Sequence, residues 1–163
     1  LEEDSMENAL VSGIAFQKDQ IKFTLHGVGD TPGTAFKILG PVSDAEVEVD
    51  VIVQNVSVDG KTDFTFTVAS EDKDTVKEVL DKLKDDVSYT ELIIDSNIAK
   101  VSIVGVGMRS QAGIASKAFK ALSENGVNIQ IICTSEIKIT MVIEKELVDK
   151  AVTVLHKEFE LEK

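Results

Sequence analysis

Gly27-Val28-Gly29-Asp30-Thr31-Pro32-Gly33 is the stretch on which the fold turns. It returns, two residues longer, as Gly105-Val106-Gly107-Met108-Arg109-Ser110-Gln111-Ala112-Gly113. Each copy follows a short β-branched run (Ile21 to Leu25; Val101 to Val104) and precedes an apolar pattern of helical period. A glycine loop between strand and helix leaves backbone N–H groups pointing outward from a helix N-terminus, a ready place for a carboxylate or phosphate. The repetition predicts two copies of one scaffold that presents this loop.

Composition bounds what the scaffold can serve. A chain of 163 residues, 43% hydrophobic and 28% charged, is one ordinary globular domain or two small ones. Its net charge of −12 argues against nucleic acid or an anionic membrane surface as partner. Part of that excess is local, in Glu2, Glu3, Asp4 and Glu7, which read as a solvated linker over residues 1–8. No apolar run approaches the ~20 residues of a membrane span. The single Cys133 excludes an internal disulfide framework and fits a reducing, cytoplasmic compartment; within Ile131-Ile132-Cys133 it reads as a small buried residue. The chain opens on Leu1 with Met6 inside it, and is expected to be the C-terminal piece of something longer.

Taken in order, residues 9–17 are an apolar strand and Lys18-Asp19-Gln20 a turn. Ile21, Phe23 and Leu25 then alternate with Lys22, Thr24 and His26 as in a half-buried strand. After the loop, Thr31 is the predicted N-cap, with Pro32 at the first helical position. Ala35, Ile38, Leu39 and Val42 mark one buried helix face, and Pro41 predicts that the helix ends or kinks near Gly40. Val47, Val49, Val51 and Val53 alternate as a strand, Asp59-Gly60 signals a hairpin, and Phe64, Phe66 and Val68 form its return. Val76, Val79, Leu80 and Leu83 mark a second helix, and Tyr89 to Ile94 a last strand. The order is βαββαβ.

From Ile98 the order repeats: Ala99 to Val104, a helix marked by Ala115, Ala118, Phe119 and Leu122, and a close at Asn125-Gly126. A hairpin of Val127 to Cys133 with Ile137 to Ile143 follows, then a helix marked by Val148, Ala151, Val152, Leu155 and Phe159. The second copy lacks a sixth strand, and residues 9–17 are the one spare. The expected organisation is therefore a first module of residues 18–97 inserted into a second of 9–17 plus 98–163. The fold class is α+β, two ferredoxin-like modules with antiparallel sheets and helices on one face.

Catalytic chemistry finds little support. His26 and His156 are the only histidines, and no serine or cysteine sits in a nucleophile elbow. No Cys/His cluster or EF-hand spacing suggests a metal, and neither loop ends in Gly-Lys-Ser/Thr. A dinucleotide fold is the nearest competitor, with Gly27-Val28-Gly29 and Asp50 about 20 residues on. It fails because Pro32 occupies the third glycine's place and a hairpin follows where a crossover helix is needed.

What the loop can hold is a small zwitterion. The N–H groups of Gly33, Thr34 and Ala35 suit a carboxylate, and Gly33 brings no Cβ to block approach. Asp30, Asp50 or Glu48 offer negative groups for an ammonium, while Gln54 and Asn55 supply neutral partners. Singly, Asp30 reads better as a turn residue and Asp50 as the solvent face of a strand. Their convergence on one corner favours a site.

The same residues carry a family resemblance. The Gly27–Ala35 loop, Val49-Asp50-Val51-Ile52-Val53-Gln54-Asn55-Val56-Ser57, Gly105-Val106-Gly107-Met108-Arg109-Ser110 and Ile132-Cys133-Thr134-Ser135-Glu136-Ile137 resemble the C-terminal regulatory region of aspartokinases. That region is a pair of ACT modules, and the resemblance runs from about Glu7 to the end. It implies feedback inhibition by lysine and/or threonine, with effectors held where the first module of one chain meets the second of a partner in a homodimer. The implied contacts are Asp30, Thr31, Pro32, Gly33, Thr34, Ala35, Glu48, Asp50, Gln54 and Asn55. Facing them would stand Gly113, Ile114, Ala115, Asn128, Ile129, Thr134 and Ser135. Gln111-Ala112 stands where His-Pro is common, and Glu48 where Asn is frequent, departures that bear on which effector binds. The resemblance implies no cofactor here, with ATP and Mg belonging to a catalytic domain or subunit that phosphorylates aspartate and is absent from these 163 residues. The chain is then a piece of a longer enzyme or a separately translated small subunit. A purely structural dimerisation unit and, more distantly, a dinucleotide-binding enzyme fragment are the other classes retained.

Overall fold

The computed structural model describes residues 11–105 and 111–160. The predicted linker of residues 1–8 and the Met108-Arg109-Ser110 part of the second loop lie outside the described residues. The chain divides into two compact units, an inner one of Asp19–Ser96 and an outer one of Leu1–Lys18 with Asn97–Lys163. Two long strands feed both: β1 (Val11–Gly29) and β4 (Glu91–Gly105).

The inner unit adds α1 (Thr34–Asp44), β2 (Ile52–Gln54), β3 (Lys61–Ala69) and α2 (Lys73–Lys82). Its strand order is β2-β3-β1-β4, with β3 antiparallel to both neighbours. Ile21, Phe23 and Leu25 of β1 pair with Val68, Phe66 and Phe64 of β3, so the alternating apolar residues share one face. Ile38 and Val42 of α1 and Val76 and Leu80 of α2 join them in a single core. Both helices therefore cover the same face, the ferredoxin-like arrangement.

The outer unit adds α3 (Gln111–Glu124), β5 (Ile131–Thr134), β6 (Lys138–Glu144) and α4 (Val148–Glu158). Its order is β1-β4-β6-β5. Val101 and Ile103 of β4 and Ile139, Met141 and Ile143 of β6 form its core with Ile114, Ala118, Leu122, Ala151 and Leu155.

Four local expectations are corrected. Lys18-Asp19-Gln20 is not a turn, since β1 runs unbroken through it and Gln20 is buried and paired with Ala69. The strands predicted at 89–94 and 99–104 are likewise one strand, β4. Pro41 does not end the helix, which runs on to Asp44. An internal proline costs about 3 kcal/mol, but Ile38 and Val42 lie on either side of it, both fully buried, and each is worth about 1.5–3 kcal/mol. Thr31 is not the N-cap. Gly33 is, at φ 91°, and Thr34 N–H donates to Thr31 O at 3.2 Å. Thr31-Pro32-Gly33-Thr34 is thus a type II turn, with proline and glycine where that turn wants them.

Of the predicted strand Val47–Val53, only Ile52 and Val53 join the ladder, in a strand that runs on to Gln54. The alternation is correct in side, with Val47 and Val51 buried and Glu48, Asp50 and Ile52 exposed. Asp50 and Val51 both face Thr67, however. Asp50 N–H donates to Thr67 O, and Thr67 Oγ1 takes the Val51 N–H at 3.2 Å. A side-chain hydroxyl standing in for a carbonyl breaks the regular pattern. Cys133 is half-buried, not the fully buried residue expected.

The helix ends show the repeat at atomic level. After α3, Gly126 N–H donates to Ser123 O and Val127 N–H to Leu122 O, with Gly126 at φ 74°. After α1, Glu46 N–H donates to Ser43 O and Val47 N–H to Val42 O, with Glu46 at φ 62°. These are the same Schellman close, glycine in one module and glutamate in the other. A left-handed conformation costs a side-chain-bearing residue about 1–2 kcal/mol. Glu46→Gly is therefore expected to stabilise the protein by about 1 kcal/mol and to raise the melting temperature by roughly 2–4 °C. Calorimetry checks this, and a lower melting temperature would contradict it.

Candidate functional site

The first loop is built into the end of the inner sheet. Between Leu25 and Val28 the β1–β3 register slips by one residue: Leu25 faces Phe64, while Val28 faces Thr62. The extra residue is a β-bulge, and Gly27 occupies it at φ 70°. Asp63 Oδ1 accepts the Gly27 N–H at 3.2 Å and lies 2.6 Å from His26 Nδ1. The loop is next tied to the β2–β3 hairpin, where Asp30 N–H donates to Gly60 O at 2.9 Å. That hairpin is the predicted Asp59-Gly60 turn, with Val58 and Lys61 exchanging both backbone bonds. Both central residues have positive φ, as a type I′ turn requires.

Asp30, Thr31, Pro32 and Gly33 are exposed, and Ala35 is half-buried. Thr34 is buried, its hydroxyl donating within the loop toward Thr31 O (2.8 Å) and Gly29 O (3.1 Å). Its N–H is committed to Thr31 O and that of Lys37 to Gly33 O. Thr34 therefore shapes the loop, and the N–H groups of Ala35 and Phe36 are those the first turn of α1 presents. A Cβ on Gly33 would meet nothing within 4 Å. The turn's positive φ is what calls for glycine here.

β3 places the remaining first-module candidates. Gln54 pairs with Phe64, and Asn55 N–H donates to Asp63 O at 3.2 Å while Asn55 O accepts from the Thr62 hydroxyl. The loop flanks the start of β3 on one side and Gln54-Asn55 flank it on the other, about 10 Å apart by strand spacing. Asp50 faces Thr67, four residues further along β3, which is about 13 Å at a strand's rise; Glu48 lies further still. The corner thus gathers Asp30 through Ala35 with Gln54 and Asn55, while Glu48 and Asp50 lie further down the β2 side.

In the outer unit, Gly113 sits in the first turn of α3 and Ala115 just past it, and Ile114 is buried in the core at 1% exposure, offering only its backbone. Thr134 and Ser135 stand at the β5–β6 turn, where Ser135 N–H donates to Lys138 O. The end of β4 lies at the same level, with Gly105 N–H donating to Ile137 O. Asn128 and Ile129 precede β5 at its other end. Sequence reasoning missed Asp63 altogether, because its role depends on a register slip between strands distant in the chain. Among the described residues no group of three or more His, Cys, Asp or Glu is arranged to hold a metal ion. None of the described helices is long and apolar enough to cross a membrane.

An inner βαββαβ unit and an outer unit of the same strand–helix–strand–strand–helix order, its sheet completed by the N-terminal strand, define the class, and the family models agree. The ACT domain matches residues 25–87 and again 101–159. Over 161 residues the chain is 55% identical to an aspartate kinase of Pseudomonas fluorescens, covering 99% of itself and 39% of that protein's length. A solved structure of aspartokinase alpha and beta subunits matches at 46% identity and a TM-score of 0.85, over 92% of this chain and 99% of that one. The ligand-free regulatory subunit of aspartate kinase from Thermus thermophilus matches at 33% identity and a TM-score of 0.86, with the same coverage. The chain belongs to the aspartokinase family, as its tandem ACT regulatory region.

Proposed function

We propose that this chain senses free lysine and/or threonine and relays their binding to an aspartokinase catalytic domain or subunit as feedback inhibition. The observation that carries this reading is the fixed corner: a loop anchored at Gly27 and Asp30, opening on the first turn of α1, with Gln54 and Asn55 level with it. The α1 N–H groups suit an effector carboxylate, and Asp30 suits its ammonium. Such an effector, closed over by Gly113 to Ala115, Asn128-Ile129 and Thr134-Ser135 of a second copy, would favour the inhibited arrangement by its difference in affinity for the two states. The catalytic half, with its ATP and Mg, would phosphorylate aspartate in a cytoplasmic enzyme.

The strand order supports the homodimer. β2 and β5 close their respective units' sheets, and exposed apolar residues gather there: Ile52, Val56, Ile132 and Ile137. Edge strands of this kind are covered by pairing with another chain, and Glu48 and Asp50 would belong to that pairing edge. A purely structural dimerisation unit would use the same edges with the corner empty.

A thermal scan with lysine, threonine, methionine, isoleucine and NAD separates these readings. At ~100-fold excess over its dissociation constant a ligand adds about 2.7 kcal/mol, roughly 5–11 °C at this size. Lysine or threonine is expected to give the shift and Asp30→Ala to abolish it with dimerisation intact. No shift with any amino acid would favour the structural unit, and a shift with NAD alone a nucleotide site.

A further inference from the structure

We infer that Asp63 is a positioning residue of the amino-acid site, holding the loop and the Gln54-Asn55 strand end in register with each other. The inference rests on the effector reading above for what the site binds, but its geometry stands apart from that reading. Residue 63 acts in both directions from one point on β3. Its carboxylate reaches across to β1, where Oδ1 accepts the Gly27 N–H at 3.2 Å and the His26 ring nitrogen approaches to 2.6 Å. Its backbone carbonyl reaches the other way and accepts the Asn55 N–H at 3.2 Å.

The need for the carboxylate follows from the register. Three steps along β1, from Leu25 to Val28, are matched by two along β3, from Phe64 to Thr62. The residue inserted by a bulge loses its ladder partner, so the Gly27 N–H has no opposing carbonyl and the Asp63 side chain replaces one. Asp30 lies three residues beyond that anchor, past the Val28–Thr62 and Gly29–Lys61 pairs, and its own N–H donates to Gly60 O. Without the carboxylate the bulge keeps the ladder pairs that flank it, Leu25 with Phe64 on one side and Val28 with Thr62 and Gly29 with Lys61 on the other, but loses the tie at Gly27 itself. A bulge loosened at Gly27 would let Val28 and Gly29, and with them Asp30 and the turn that follows, shift relative to Gln54-Asn55, whose tie to the residue 63 carbonyl is unaffected.

A charge effect and a positioning effect predict different substitution patterns. Asparagine keeps an oxygen acceptor for the Gly27 N–H and loses the charge; alanine loses both. Lysine and threonine binding to the whole chain, measured by calorimetry, is expected to weaken at least tenfold in Asp63→Ala and less than threefold in Asp63→Asn. The Asp63 side chain is 35% exposed, so water can replace it and both variants are expected to fold. Equal losses in the two variants, or unchanged affinity in Asp63→Ala, would overturn the inference.

Amide hydrogen exchange without effector supplies the second readout. In Asp63→Ala the Gly27 and Asp30 amides are expected to exchange at least tenfold faster, with those of β6 unchanged; Asp63→Asn restores them. Unchanged exchange at Gly27 and Asp30 would overturn the positioning role whatever the binding data show. Wild-type protein that binds neither amino acid would count against the effector reading alone, and the exchange data would still decide the role of Asp63.

Discussion

Phe66→Ala is expected to cost about 3–5 kcal/mol, the range for deleting a fully buried phenylalanine. Phe66 is 0% exposed in the middle of β3, directly opposite Phe23 of β1. Its ring lies 5.6 Å from that of Phe23 at 16° and 6.2 Å from that of Phe64 at 58°. Such ring pairs add about 0.5–1.5 kcal/mol each beyond the area they bury. β3 also carries the hairpin and Asp63, so the candidate site rests on the strand that this ring anchors. Urea denaturation measures the loss, and a cost below ~1 kcal/mol would show that the core repacks around the gap.

Gly27→Ala is the second large effect, expected at about 3 kcal/mol from two sources. An alanine at φ 70° pays about 1–2 kcal/mol for the left-handed conformation. Its Cβ would also lie 2.4 Å from Thr90 Oγ1 and 3.0 Å from Thr90 Cβ, and overpacking of this kind costs typically 1–3 kcal/mol. The Thr90 backbone, and with it Cβ, is held in place just ahead of β4, where its N–H donates to His26 O at 2.8 Å. The two sources separate in a double-mutant cycle. Gly27→Ala in a Thr90→Gly background should lose the clash but retain the backbone strain, a coupling of about 1–2 kcal/mol. Strict additivity would show that backbone conformation alone makes Gly27 a glycine.

Much of this fold was legible because its cues are local and periodic. Ile21, Phe23 and Leu25 announce the core side of β1 by alternation alone, and Asp59-Gly60 announces its own turn. Asn125-Gly126 announces a helix end because glycine is the usual residue there. The equivalent end at Glu46 carried no such signal, since glutamate takes that conformation only when the surrounding structure compels it. Pro41 misled for the converse reason: a local rule against proline gave way to the burial of Ile38 and Val42. Lys18-Asp19-Gln20 looks like a turn because it is polar, yet it lies within a strand at the boundary between the two units. The geometry of the corner was legible in part. Asp30 to Ala35 and Gln54-Asn55 flank the same end of β3, but the alternation that put Glu48 and Asp50 on one face did not show how far along β3 Asp50 lies.

The most direct test of effector binding by this chain is a crystal structure grown with lysine and threonine together. An amino acid is predicted with its carboxylate at the first turn of α1 and its ammonium at Asp30. It should lie beside Gln54 and Asn55, with Gly113 to Ala115 of a second copy closing the site. A structure at saturating concentrations with that corner empty, or with the amino acid bound only elsewhere, would contradict the effector role proposed for it.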